Sequence, residues 1–253
     1  MTTQHTATKE LNSAHAIDTP SVLREHRTGP YYAGVPEYMI DIYDWAYVNP
    51  KHVEILDRNI VVWVLLFLNA GRLMRRYLDQ IRPGMRVWQV AHVYGDLVKK
   101  VAAKIGPEGT FHLTDVVPAQ IEHAQRKIGR EPWVRIIRQD AASYKAEQPY
   151  DLACSFFLLH EIPEEKKFQV VDRVLENIGA EGRAVFVDYH GPALLHPIRP
   201  ILKFVNWWLE PFAETMWNNS IPSYASHPEK YRWNKETLFG GVYQVVTADP
   251  IRE

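Results

Sequence analysis

Between Arg86 and Asp188 short apolar runs alternate with helix-length amphipathic segments, and this restricts the fold more than any other feature of the chain. The order reads strand Arg86 to Ala91, helix Asp96 to Ile105, strand Gly109 to Asp115, helix Pro118 to Ile128, and strand Val134 to Arg138. After an acidic loop come strand Leu152 to Phe156, helix Glu164 to Ile178 and strand Gly182 to Asp188. Repeated strand–helix–strand units demand parallel pairing with helices on both faces, so a doubly wound, mostly parallel, Rossmann-like α/β sheet is expected.

The flanks add to this core. Residues 1–36 are polar and read as a mobile tail, and 37–82 as a helical layer containing one strongly apolar helix from about Val53 to Leu78, closed by Pro83 and Gly84. The α/β domain then spans 83–253, with an added segment at 194–217. There Leu194, Ile198, Ile201, Val205, Trp208 and Phe212 recur every three or four residues, the mark of an amphipathic helix. Gly240 and Gly241 between apolar flanks predict a final hairpin.

Charge excludes one class of partner. The 29 Lys and Arg against 30 Asp and Glu leave a net charge of -1, with no field to gather nucleic acid. The single Cys154 permits neither an internal disulfide nor a multi-cysteine zinc site, which suits a cytoplasmic setting. The longest apolar run, Ile60 to Leu68, is far short of the roughly 20 residues of a membrane span. The leader has no apolar h-region, so no secretory signal is read.

In open α/β sheets ligands bind beyond the carboxyl ends of the strands. The first strand ends Gln89-Val90-Ala91-His92-Val93-Tyr94-Gly95-Asp96, where nucleoside-binding folds carry several glycines, and only Gly95 remains. Asp115 ends the second strand, where a carboxylate can accept two ribose hydroxyls, and Asp140 follows the third, where it can meet an adenine amine. Each also fits a plainer role, Asp115 as a helix cap and Asp140 as a turn residue. Asp115 lies 20 residues beyond Gly95, a spacing shared with dinucleotide folds, but the missing G-x-G-x-x-G argues against NAD. The adenosine-type cofactor that fits is S-adenosylmethionine, lined by Gln89, Ala91, His92, Tyr94, Gly95, Asp115, Val116, Asp140, Ala141 and Phe156.

Two polar clusters sit at later strand ends: His160 and Glu161 after the fourth strand, and Asp188, Tyr189 and His190 at the fifth. Carboxylates with imidazole suit a divalent transition ion, with Glu161, Asp188 and His190 as candidate ligands. Hydrogen-bonded scaffolding and acid/base work are the other readings of the two histidines. Candidate catalytic residues are His160, Tyr189 and Asp188. Candidate substrate contacts are Tyr43, Trp45, Tyr47, Phe157 and Trp208, the first three serving either as core or as a lid. The 194–212 helix, with Trp207 and Trp208 beside His196, Arg199 and Lys203, fits either the sheet surface or a membrane surface.

Four segments together resemble one family: Tyr43-Asp44-Trp45-Ala46-Tyr47 with Pro50, the glycine-poor turn from Gln89 to Asp96, Phe156-Phe157-Leu158-Leu159-His160-Glu161, and Val187-Asp188-Tyr189-His190. They are similar to the rhodoquinone biosynthesis proteins, over about Tyr38 to Trp217. The resemblance implies a class I methyltransferase fold near the quinone C-methyltransferases, with a different reaction. In it S-adenosylmethionine is the amino donor that replaces a methoxy group of ubiquinone, supported by Mn2+. It implies a cytoplasmic enzyme peripheral to the inner membrane, with ubiquinone and the membrane surface as partners; self-association is left open. Two other readings stand beside it: a conventional quinone methyltransferase, and a non-catalytic cofactor-binding accessory protein of quinone synthesis.

Overall fold

The computed structural model describes residues 29–208 and 210–252, so most of the 1–36 tail lies outside the described residues. The sheet has seven strands: β1 Arg86–Val90, β2 Thr110–Asp115, β3 Val134–Arg138, β4 Tyr150–Phe156, β5 Ile178–Tyr189, β6 Tyr231–Leu238 and β7 Tyr243–Pro250. Their order is β3-β2-β1-β4-β5-β7-β6. β1 to β5 pair in parallel and β7 is antiparallel to both β5 and β6. The order reverses between β1 and β4, the switch point where a doubly wound sheet opens a ligand crevice.

Strand parity builds two cores. Leu152, Cys154 and Phe156 of β4 and Val185 and Val187 of β5 face one cluster, while Ala153, Ala184 and Phe186 face the other. Seven helices matter below: α1 Glu37–Tyr43, α2 Pro50–Leu56, α3 Asn59–Leu65, α4 Ala70–Leu78, α5 Leu97–Ile105, α6 Pro118–Ile128 and α7 Glu164–Glu176. α4 and α5 supply Leu73, Tyr77, Leu97 and Val101 to the first cluster, and α7 supplies Val170, Val171 and Val174 to the second. The predicted α6 boundaries are the observed ones, with Pro118 at the first turn, where its missing N–H costs nothing.

Two expectations are corrected. The apolar stretch from Val53 to Leu78 is three helices, not one, because the chain turns at Asp57–Arg58 and again at Phe67 and Leu68, both left-handed (φ 46° and 63°). Asn69 holds the second turn, its side-chain amide donating to Leu66 O at 3.3 Å and to Phe67 O at 2.8 Å. The added helix, α8 Arg199–Trp208, is shorter than the predicted repeat, and Leu194 lies before it. Leu202 is buried, with Ile198 half-buried ahead of it, whereas Ile201 of the predicted stripe points outward with Phe204 and Trp207. A short helix α9 Thr215–Asn218 leads to the C-terminal hairpin, which is present as β6–β7 across Gly240 and Gly241.

Candidate functional site

A cavity of about 650 Å³, counted with its mouth, lies at the switch point. Its floor is the turn after β1. Ala91 there is left-handed (φ 66°), a conformation that glycine adopts freely and alanine at a cost of roughly 1–2 kcal/mol. The turn is held by Asp115, whose Oδ2 accepts the His92 N–H at 2.8 Å and whose Oδ1 accepts the Val117 N–H at 2.9 Å. Burial pushes the Asp115 carboxyl up to about 6 despite these bonds. The carboxylate itself lines the cavity. Asp140 Oδ1 accepts the Ala142 N–H at 2.9 Å and its Oδ2 lies 3.2 Å from Lys166 Nζ. Val116, Ala141, Leu158 and Ile162 give the cavity apolar walls, and Tyr38, Met39 and Tyr47 form its N-terminal side.

The glycine-poor turn is tied to the helical layer. Gly95 (φ 83°) donates its N–H to Asp57 Oδ1 at 2.9 Å, and a Cβ at Gly95 would stand 3.0 Å from Asn59 Oδ1. Lys127 Nζ bridges Asp57 Oδ1 at 2.7 Å and the Gly95 carbonyl, and His123 Nε2 lies 2.9 Å from Asp57 Oδ2. Burial would raise the Asp57 carboxyl, but His123 and Lys127 hold it below the ordinary value. Tyr94 donates to Ala46 O and accepts from Gln120 at 2.9 Å, and its ring stacks on Tyr47 at 5.5 Å.

Beside this cavity is a buried polar centre. Residues 44–48 form a π-helical turn, an irregularity frequent at functional sites. It sets Tyr43 and Tyr47 side by side, ring centroids 6.0 Å apart. Tyr47 donates its hydroxyl to Glu161 and Tyr43 donates to Glu210 at 2.8 Å. His160, Glu161 and Glu210 each offer a ligand atom within 4.8 Å of the others. Asp188, 1% exposed, accepts from His160 Nδ1 at 2.8 Å and from the Leu159 and Tyr189 N–H groups at 2.8 and 2.7 Å. This leaves His160 Nε2 facing Glu161, 3.6 Å away. Burial pulls the His160 pKa down, but Asp188, Glu161 and Glu210 outweigh it and hold the imidazole up to about 9. Burial, then the neighbouring Glu210, pushes the Glu161 carboxyl up.

Of the residues expected at the cofactor, Ala91, His92, Asp115, Val116, Asp140 and Ala141 line the cavity. Gln89 and Phe156 are instead buried in the strands beneath it, and Tyr94 and Gly95 are engaged with the helical layer. His160 and Tyr189 come together, ring centroids 4.7 Å apart, and Phe157 packs against both. Of the three expected metal ligands only Glu161 is in the centre's inner set. Asp188 is engaged with His160, and His190 turns away, its Nδ1 2.9 Å from Gly241 O. Trp45 is 43% exposed, and Trp208 ends α8 with its side chain outside the described residues. Glu210 went unread, although it is the first acidic residue after Asp188. Asp57 and Gln120 carried no sequence signal at all.

Comparison with known proteins agrees with this fold. Residues 87–182 match the methyltransferase domain family model. A ubiquinone/menaquinone biosynthesis C-methyltransferase UbiE from Idiomarina loihiensis is 26% identical over 193 residues, covering 69% of this chain and 72% of its own. Among solved structures, a possible exported protein from Bordetella parapertussis aligns with TM-score 0.56 at 16% identity, covering 72% of this chain and 67% of its own. The N-methyltransferase NodS from Bradyrhizobium japonicum, in complex with S-adenosyl-L-homocysteine, aligns with TM-score 0.51 at 12% identity, covering 72% and 85%. The fold is that of the class I methyltransferases, and the chain is methyltransferase-like across the matched segment.

Proposed function

We propose that this methyltransferase-like chain binds S-adenosylmethionine and acts on ubiquinone, exchanging a ring methoxy group for an amino group. The observation that carries this reading is the buried His160–Glu161–Glu210 centre opening on the adenosine-type cavity through Glu161 and Tyr47. Transfer of a methyl group from a sulfonium asks for no such concentration of buried carboxylates. Exchange at a quinone carbon needs protons moved and negative charge on the ring oxygens offset.

The cavity fits the adenosine half of the cofactor. Asp115 presents an acceptor for ribose hydroxyls and Asp140 one for the adenine amine, with Val116, Ala141 and Leu158 against the rings. The methionine end has a different setting from that of a glycine-rich turn. Asp57 takes the Gly95 N–H that would otherwise face it, and Tyr47 and Tyr94 stack alongside. When bound, S-adenosylmethionine would supply the amine: its nitrogen bonds to the ring carbon as the methoxy group leaves, protonated, as methanol, and water then takes the nitrogen's place on the cofactor carbon.

The centre fits a divalent cation of the manganese type. One imidazole nitrogen and two carboxylates are offered together, and Asp188 orients the imidazole through its other nitrogen, as carboxylates do behind metal-bound histidines. Bound there, the ion would supply Lewis-acid polarisation of a quinone carbonyl. The chain's own residues do the rest. Asp188 fixes the tautomer that leaves His160 Nε2 facing the centre, and Tyr43 and Tyr47 orient Glu210 and Glu161 through hydroxyls whose pKa values burial drives far up, so that they stay donors. Tyr189 and Phe157 wall the side where a ring would rest.

A conventional quinone C-methyltransferase is the second reading, supported by the relative with that name. Lipid products are analysed by mass spectrometry after incubation with ubiquinone, Mn2+ and S-adenosylmethionine carrying nitrogen-15 at its α-amine. Label in an aminoquinone is the expected result; a quinone heavier by one methyl group establishes the second reading, and an unchanged quinone refutes both.

A further inference from the structure

The irregular turn at residues 44–48 is shaped from outside itself. The Asn49 N–H donates to Asp44 O at 3.1 Å, five residues back, which is the wide π spacing. The next three carbonyls each accept from a side chain: Trp45 O from His52 Nδ1 at 2.8 Å, Ala46 O from the Tyr94 hydroxyl, and Tyr47 O from Gln120 Nε2 at 3.0 Å. His52 belongs to the helical layer, on α2, but Tyr94 stands in the turn after β1 and Gln120 on α6. The pose of Tyr43 and Tyr47, and so of the two carboxylates they hold, is therefore set in part by residues around the nucleoside cavity.

Gln120 is the joint between the two sites. It lines the cavity, is 2% exposed, and uses both ends of its amide. Its Oε1 lies 2.8 Å from His92 Nδ1, and its Nε2 donates to the Tyr94 hydroxyl oxygen at 2.9 Å as well as to Tyr47 O. Burial, then Lys127, pulls the His92 pKa down to about 3, so the ring is neutral. A carboxamide oxygen only accepts, so Nδ1 carries the ring's hydrogen. The His92 backbone N–H is in turn held by Asp115 Oδ2. One file of hydrogen bonds thus runs from Asp115 through His92, Gln120 and Tyr47 to Glu161, and every residue in it is buried or half-buried.

We infer that Gln120 is a positioning residue that couples the two sites: it carries the seating of a nucleoside at Asp115 to the π turn and on to Glu161, so that a nucleoside and a divalent cation strengthen each other's binding. A ligand on Asp115 steadies the turn that holds His92, and His92 steadies Gln120. The π turn then keeps Tyr47 and Glu161 in place before the cation arrives. That ordering is done once, and the second ligand no longer bears it. The inference rests on the reading of the centre as a cation site and not on amino transfer.

Calorimetric titration of the full chain with Mn2+, alone and with saturating methylthioadenosine, tests this. That nucleoside has neither amine nor carboxylate, so it cannot itself ligate the ion. Mn2+ should bind about fivefold tighter or better with the nucleoside present, and the nucleoside should gain by the same factor from Mn2+. Tyr47→Phe removes one hydroxyl and keeps the ring; Gln120→Met keeps the length of the side chain and removes its hydrogen bonds. In each variant both ligands should still bind while the coupling factor falls below about twofold. A purely structural role would weaken both ligands and leave the factor where it was. If Gln120→Met does not fold, Tyr47→Phe decides alone. A factor near one in the unaltered protein, or a factor that survives both substitutions, overturns the inference. Mn2+ binding that is absent, or that persists in Glu210→Gln, refutes the cation reading of the centre and the coupling with it. Coupling without any amino transfer refutes the proposed reaction and leaves the role of Gln120 standing.

Discussion

Replacing Asp188 by Asn keeps the side chain's shape and removes its charge, which isolates what the carboxylate does for His160. His160 has an ordinary pKa of 6.5 that is pulled down by burial and carried up to about 9, with Asp188 the largest of the carboxylate contributions. A folded-state pKa above the unfolded one means that the native protein holds the proton more tightly. That stability is fully present below pH 6.5 and is lost as pH climbs through about 9. The rise corresponds to roughly 3 kcal/mol. Asn also sets an amide donor where Asp188 accepts three N–H groups, and one donor facing another costs about 1–3 kcal/mol. In chelator-treated protein the D188N penalty is therefore about 4–6 kcal/mol at pH 6, at the upper end of what removing one member of a buried pair costs. At pH 10 the imidazole is neutral in both proteins and only the donor conflict remains, so the penalty shrinks by about 2–3 kcal/mol. Urea unfolding of both proteins at the two pH values measures this directly. An equal penalty at pH 6 and pH 10 would show that His160 and Asp188 are not an ion pair, and the orienting role given to Asp188 would fall with it.

Ala91→Gly relieves a left-handed alanine and should raise stability by about 0.5–1 kcal/mol in urea unfolding; a loss would mean the turn is not strained. Lys167 is fully buried, donates to Phe212 O at 2.8 Å and to Thr215, and so pins the segment that follows Glu210. Lys167→Met should cost about 2 kcal/mol and speed amide exchange over residues 210–217, whereas unchanged exchange would remove Lys167 from that role. Asp115 titrates near pH 6 in the fold, above its ordinary 3.8, so affinity for S-adenosylhomocysteine should fall as pH drops from 7 to 5, while the ligand-free protein gains stability as pH falls from 6 to 4. Calorimetric titration showing a flat affinity in that range would deny Asp115 its place at the ribose.

The parallel sheet was legible because buried strands and amphipathic helices announce their periods, and β3 and α6 fall on the predicted residues. The break at Phe67 and Leu68 was not, since nothing in an apolar run marks two left-handed residues that tertiary packing and Asn69 impose. α8 is apolar on most sides, so its period could not tell the sheet-facing stripe from the outward one. His190 was grouped with Asp188 because both stand at the end of the fifth strand, a rule that fails once the strand has stopped. β5 ends at Tyr189, and the next backbone N–H goes to Val242. Glu210 joins His160 only through the fold, and its pairing with Tyr43 spans 167 positions.

That long span has a consequence for synthesis on the ribosome. The strands and turns that frame the adenosine-type cavity are complete once residue 170 has emerged, with its N-terminal wall made earlier still. The acidic centre cannot close until Glu210 follows and meets a tyrosine made 167 residues before it. A chain released between those points would hold every residue that lines the cavity but lack Glu210, so the lining of the cavity and the full acidic centre arrive in a fixed order.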